Sequence, residues 1–170
     1  MKIKLQNVRL SFPSLFRHSV FGGQSTEKYE ATFILDKTEH AGVIKQIEEA
    51  QKALMVEKKL KVSSDKLALK DGDDAGRDEM IGKMTIKAST KKRPVLIDRD
   101  KTPLVEDDGK PYAGCYVNAI ISLWAQDNSY GKRINASLEG VQFYKDGEPF
   151  GAGGVSVDEF DDFEDEDAPF

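Results

Sequence analysis

Residues 115 to 126 read CYVNAIISLWAQ and alternate without a break. Cys115, Val117, Ala119, Ile121, Leu123 and Ala125 fall on one parity. Tyr116, Asn118, Ile120, Ser122, Trp124 and Gln126 fall on the other. A period of two is the side-chain period of a strand with one buried face. A strand over 114–127 with so continuous an apolar side demands partners and a core to cover it. The turn DNSYG leads from it into GKRINASLEGVQFYKDGEPF (131–150), which predicts a second long strand, with Gly140 marking a bend or bulge.

The first half supplies the partners. Residues 2–12, KIKLQNVRLSF, predict a strand in which Ile3 and Leu5 share one phase and Val8, Leu10 and Phe12 the opposite one. The slip at Gln6–Asn7 predicts a bulge. Residues 13–26 predict a loop around Pro13 and the Gly22–Gly23 pair. EKYEATFIL (27–35) predicts a strand with Tyr29, Ala31, Phe33 and Leu35 on one face. The period then changes: Val43, Ile47, Ala50 and Leu54 are at helical spacing, which predicts a helix over about 38–58. Asp36 with Glu39, or Thr38, would cap it, and Lys58, Lys59 and Lys61 suit its C-terminal dipole. Residues 62–82 predict a long loop. KMTIKAS (83–89) predicts a strand with Met84, Ile86 and Ala88 inward, and Val95–Ile97 another short one; Asp107, Asp108 and Gly109 signal a turn, as does KDGE (145–148). The pattern gives a mainly β fold with one inserted helix. It predicts an OB-fold-like, five- to six-stranded antiparallel Greek-key barrel over residues 1–150.

Residues 151–170 are of another kind. GAGG (151–154) predicts a flexible joint, and eight acids with no base crowd residues 158–170. The remaining 22 acids lie in 1–150 with all 25 Lys and Arg, so a body of +3 carries a tail of −8. The overall charge of −5 hides that asymmetry. A disordered acidic C-terminal tail on a mildly basic body is the expected organisation. No apolar run approaches the ~18 residues of a membrane span, and MKIKLQNVRL has no signal-peptide core, so an intracellular, cytoplasmic protein without membrane partners is expected.

Catalytic chemistry finds little footing. His18 and His40 are the two histidines, and neither sits in a pattern that a nucleophile, base and orienting acid would need. The single Cys115 leaves no disulfide and no Cys-based zinc site. An EF-hand beginning at Asp71 fails, because Ala75 and Gly82 stand where oxygen ligands are required. No glycine loop of a phosphate- or dinucleotide-cradling type is present. No enzyme, metal site or cofactor is expected.

Recognition of single-stranded nucleic acid fits better. The outward parity of 116–126 is polar with Tyr116 and Trp124 near its ends, and exposed aromatics among polar residues stack bases regardless of sequence. If the core faces align, Lys87 emerges on the same side. Lys91, Lys92 and Arg93 form the densest basic run, Tyr130 stands beside Lys132 and Arg133, and Arg17 lies between Phe16 and Phe21. Basic residues interleaved with aromatics are what a groove tracking a single strand requires. The competing reading makes each charge part of a solvated face and buries Trp124 under a loop or in a homodimer interface.

The ending DDFEDEDAPF, after a Gly-rich joint, resembles the acidic, aromatic-ended tails of single-stranded DNA-binding proteins. VRLSFPSLF, YEATFIL before a helix, KASTKKRPVLID, GCYVNAIISLWAQD and LEGVQFYKDGEPF resemble the phage type, with an OB-fold body, a helix inserted in its first half and an acidic tail. The body motifs of the bacterial tetrameric type are not seen, so its oligomeric state is not implied. The resemblance implies a replication and recombination accessory that coats single strands without sequence preference. It further implies a tail that recruits polymerase, helicase-primase or nuclease. The residues matching that tail are Asp161, Asp162, Phe163, Glu164, Asp165, Glu166, Asp167 and Phe170. About 20 flexible residues reach roughly 25 Å, against a body radius near 15 Å. The tail is thus expected to compete with DNA for the basic groove. The alternative is a protein-interaction module whose tail mimics nucleic acid or serves solubility.

Overall fold

The structure, a computed structural model, describes residues 2–150. Its strands, in chain order, are β1 (Lys2–Ser14), β2 (Val20–Phe21), β3 (Gln24–Ser25), β4 (Tyr29–Asp36), β5 (Leu69–Asp71), β6 (Lys83–Thr90), β7 (Val95–Ile97), β8 (Tyr116–Asn128) and β9 (Gly131–Lys145), with helix α1 (Ala41–Glu57) between β4 and β5. Five of them, β1, β4, β6, β8 and β9, close into a barrel. β1 pairs with β4 and β8, β4 with β6, and β8 with β9, all antiparallel. A parallel bridge between Ser89 and Ser137 joins β6 to β9 and shuts the ring. This is the OB-fold arrangement. The expectation of antiparallel pairing throughout is corrected here: β7 also runs parallel to β9. Short turns report only on sequential neighbours, and both parallel contacts join strands distant in sequence.

The alternation in β8 does what its parity requires. Cys115, just before the strand, and Val117, Ala119, Ile121 and Leu123 within it are buried; the last four stand opposite Phe143, Val141, Leu138 and Ala136 of β9. Burying each of the Val, Ile, Leu and Phe side chains among them contributes about 1.5–3 kcal/mol. The β9 register slips between Ile120–Gly140 and Ile121–Leu138, leaving Glu139 as the extra residue, so the bulge expected at Gly140 is present. A Cβ at Gly140 would meet the Val95 carbonyl at 3.4 Å, an ordinary contact, where β7 pairs alongside β9.

The bulge expected at Gln6–Asn7 is also present, with Asn7 in the left-handed region at φ 54°. It is held by His40. The Asp36 amide donates to His40 Nδ1 at 2.8 Å, which leaves the ring proton on Nε2, facing the Gln6 and Asn7 carbonyls at 3.1 and 3.0 Å. The helix start differs from expectation accordingly. α1 begins at Ala41 without a side-chain cap. Asp36 Oδ1 instead accepts from the Thr38 and Glu39 amides in the turn before it. Ile44, Ile47, Ala50 and Leu54 bury one face of α1 in the core, and the helix lies against β1 and β8.

Two stretches read as loops hold more order. Residues 13–26 contain the β2–β3 hairpin, and residues 62–82 contain β5 with three short 3-10 turns. β5 is too short to show a period. Its Leu69 amide donates to the buried Gln51 Oε1 of α1 at 3.0 Å, so the helix pins this edge strand against β6.

Candidate nucleic-acid interface

On the outer surface of β4 and β6 lies a groove of about 540 Å³. β4 and β6 are the second and third strands of the barrel, the face on which OB-folds bind oligonucleotides. β4 contributes Glu30 and Thr32, β6 contributes Thr85, Lys87 and Ser89, and β9 contributes Arg133 and Asn135. Thr26 and Lys28 close one rim; Lys66 and Lys70, beside β5, close the other. Five cations and one carboxylate line it, a net +4 on a body of only +3. The acid is not idle: Glu30 holds the Lys87 ammonium at 3.2 Å, and Lys87 still exposes much of its side chain.

Of the residues singled out from sequence, Lys87 and Arg133 meet in this groove. Trp124 stands beside it. It is 45% exposed on β8 and directly opposite the groove-lining Asn135 of β9. Asn135 is held in turn, its Nδ2 donating to Gln126 Oε1 at 2.7 Å. Tyr130 is the exposed tip of the β8–β9 turn, with Lys132 solvent-facing next to it. Lys91, Lys92 and Arg93 are exposed on the loop leaving β6 just after Thr90, which pairs with Tyr29 at the start of β4; the Arg93 guanidinium sits over the Phe16 ring at 5.8 Å.

Two residues are placed elsewhere. Arg17 is committed to Glu106 at 2.8 Å, whose hydrogen bond and charge raise the guanidinium above its ordinary range. Tyr116 lies at the opposite end of β8 from Trp124, about 27 Å along the strand. There it packs between Arg9 and Lys145, at 5.9 and 4.9 Å from its ring centre, and touches the turn at Gly147. Parity alone put it on the same face; the length of β8 separates them. The tail residues Asp161 to Asp167 and Phe170 lie outside the described residues.

Sequence reasoning missed Lys28, Lys66 and Lys70. Lys66 and Lys70 sit in KLALK, inside the segment read as a loop; the pairing of β5 with β6, which sets Lys70 opposite the groove residue Thr85, brings this segment to the groove. Chemistry of a catalytic kind gains no support from the buried thiol, since burial pushes Cys115 up to about 11, where it carries no thiolate at neutral pH.

The family model described as "Enterobacter phage Enc34, ssDNA-binding protein" matches residues 1–170. A relative, putative protein p50 of Acyrthosiphon pisum secondary endosymbiont phage 1, is 42% identical over 174 residues, 95% of this chain and 94% of its own. The single-stranded DNA-binding protein from bacteriophage Enc34, solved in complex with ssDNA, superposes with a TM-score of 0.81 at 36% identity, covering 88% of this chain and 89% of its own. The gp2.5 single-stranded DNA-binding protein encoded by bacteriophage T7 shares the fold, with a TM-score of 0.54 at 15% identity over 95% of this chain and 98% of its own. A barrel of this topology, matched along its whole length by one family model, belongs to the Enc34-type family of phage single-stranded DNA-binding proteins.

Proposed function

We propose that the protein binds single-stranded DNA without sequence preference, through the groove over β4 and β6, in phage DNA replication and recombination. The observation that carries this reading is the groove's net +4 lining on an outer barrel face. Its cations are spread over β6, β9 and both rims rather than clustered, as a path along a phosphate backbone needs. The Enc34 protein's complex with ssDNA supports the same ligand. Trp124 and Tyr130, exposed on and beside the β8–β9 hairpin, offer rings for bases whose phosphates lie in the groove. Readout of base edges would require fixed donors and acceptors matched to one base; stacking and charge do not discriminate.

The tail completes the proposal. Its acids would compete with phosphate for the groove cations, and Phe170 would recruit replication proteins such as polymerase or helicase-primase. The protein acts in this reading as a non-enzymatic coat with residues 1–150 as the binding body. The test is a titration of oligo-dT into the full chain and into a chain lacking residues 158–170. Binding should weaken with salt as counterions are released, and the deletion should tighten it most at low salt. Equal affinity of the two chains at low salt would remove the competitive role. Absence of salt-dependent oligo-dT binding would remove the whole reading.

A further inference from the structure

Phe12 breaks the pattern of its strand. Val8 and Leu10 are fully buried, and by parity Phe12 should follow them into the core. It is instead half exposed, at 50%. The cause is a second bulge in β1: Ser11 pairs with Thr32 and Ser14 with Glu30, so Phe12 and Pro13 together stand opposite Ala31 alone. Phe12 carries the bulge with φ 47°, a left-handed conformation costly for any residue with a Cβ and rare for an aromatic. The core does not need the ring, because Leu15, three residues on, is buried in the same cluster.

Strain that turns an aromatic outward has a place to act. The two β4 residues flanking the bulge, Glu30 and Thr32, both line the groove. Adjacent strands are about 4.8 Å apart, so Phe12 stands one strand over from the groove's β4 wall, next to the lining but not part of it. It is oriented there by Arg77, whose guanidinium lies 4.3 Å from the ring centre. Arg77 forms no ion pair among the described residues. Arg77 and Phe12 thus pair a cation that has no ion-pair partner among the described residues with an exposed ring, beside the strand that forms one wall of the basic groove.

We infer that Phe12 is a base-stacking residue of this groove, with Arg77 fixing the ring and meeting the phosphate of the stacked nucleotide. The inference rests on the single-strand-binding reading above. It assigns the β1 margin of the groove to a base, opposite the rings of the β8–β9 hairpin. A strained, outward ring is kept where relief would be simple: Phe12→Gly removes both the strain and the stacking surface.

That variant gives the test a sign that a packing role cannot reproduce. Full-length Phe12→Gly should bind oligo-dT about tenfold more weakly than wild type, the scale of one stacked base, while its Tm is unchanged or raised. In a Trp124→Phe background, Phe12→Trp places a single indole at the site, and oligo-dT should quench it saturably. Wild-type affinity in Phe12→Gly, an affinity loss accompanied by a lower Tm, or an indole at position 12 that oligo-dT leaves unquenched would each overturn the assignment. If Phe12→Gly binds normally while Lys87→Glu and Arg133→Glu together abolish binding, the groove stands and Phe12 leaves it. If wild type does not bind oligo-dT, both readings fall.

Discussion

β1 holds two left-handed residues five positions apart, and the chain treats them in opposite ways. Asn7 (φ 54°) is tied at three points: its amide donates to Asn118 Oδ1 at 2.9 Å, its Nδ2 donates to Glu39 Oε1 at 3.1 Å, and its carbonyl faces His40 Nε2 at 3.0 Å; its buried Oδ1 has no partner among the described residues. Phe12 (φ 47°) turns a ring into solvent and is met by one guanidinium. The first bulge lets β1 switch phase so that Ile3 and Leu5, then Val8 and Leu10, all reach the core. The second takes a residue out of the core. The first bulge has a packing role; the second, on the stacking proposal, leaves the partner of its ring to be supplied by a base.

The contrast can be broken most forcefully at His40. His40→Ala removes hydrogen bonds to both the Asp36 amide and the bulge carbonyls, and should cost roughly 2–3 kcal/mol of stability. Chemical denaturation would show it, and oligo-dT affinity of the folded protein should not change; a matching loss of affinity would mean the first bulge also serves the ligand. Asn7→Val should cost about 1–2 kcal/mol, because a β-branched residue resists the left-handed region and the side-chain bond to Glu39 is lost. If Phe12→Val costs as much, the distinction between the two bulges fails.

Asp36 sharpens the comparison through pH. The Lys83 ammonium at 2.7 Å, then the Glu39 and Thr38 amides, hold its carboxyl well below the usual carboxylate range. Folding therefore favours the ionised form. That stabilisation is complete above the unfolded value near 4 and is lost as pH falls toward the depressed folded value. Asp36→Asn keeps an oxygen for the amides but loses Lys83. Its Tm should fall below wild type at pH 7, with the gap closing as pH drops below 4; a gap constant with pH would contradict the assignment. The smallest change is expected at Glu30. Removing the groove's carboxylate by Glu30→Gln should raise oligo-dT affinity two- to threefold at low salt, on the order of 0.5 kcal/mol for an exposed pair, and the gain should vanish at high salt.

Much of the barrel was legible because parity and phase are local. β8 declared its core face residue by residue, and the slip at Gln6–Asn7 and the glycine at 140 announced two real bulges. The second bulge was hidden, since Val8, Leu10 and Phe12 alternate without interruption and only the pairing with β4 shows the extra residue. The site was less legible than the fold. Lys87 and Arg133 could be inferred from strand parity, whereas Lys66 and Lys70 belong to a segment whose short strand β5 shows no period, and only its pairing with β6 reveals that it borders the groove. Tyr116 shares its parity with Trp124 but not its place, because parity fixes a face and says nothing of position along it.

The central claim is that the surface over β4 and β6 is where a single strand runs. It is tested most directly by fluorescence anisotropy of dye-labelled oligo-dT, titrated from low to high salt with full-length wild type and with the Lys87→Glu, Arg133→Glu double variant. Losing two phosphate contacts should lower affinity at least a hundredfold at low salt and reduce the magnitude of the logarithmic salt slope by about 1.4, at ~0.7 per phosphate on a single strand. A folded double variant with the affinity and salt slope of wild type would place the DNA on another face of the barrel.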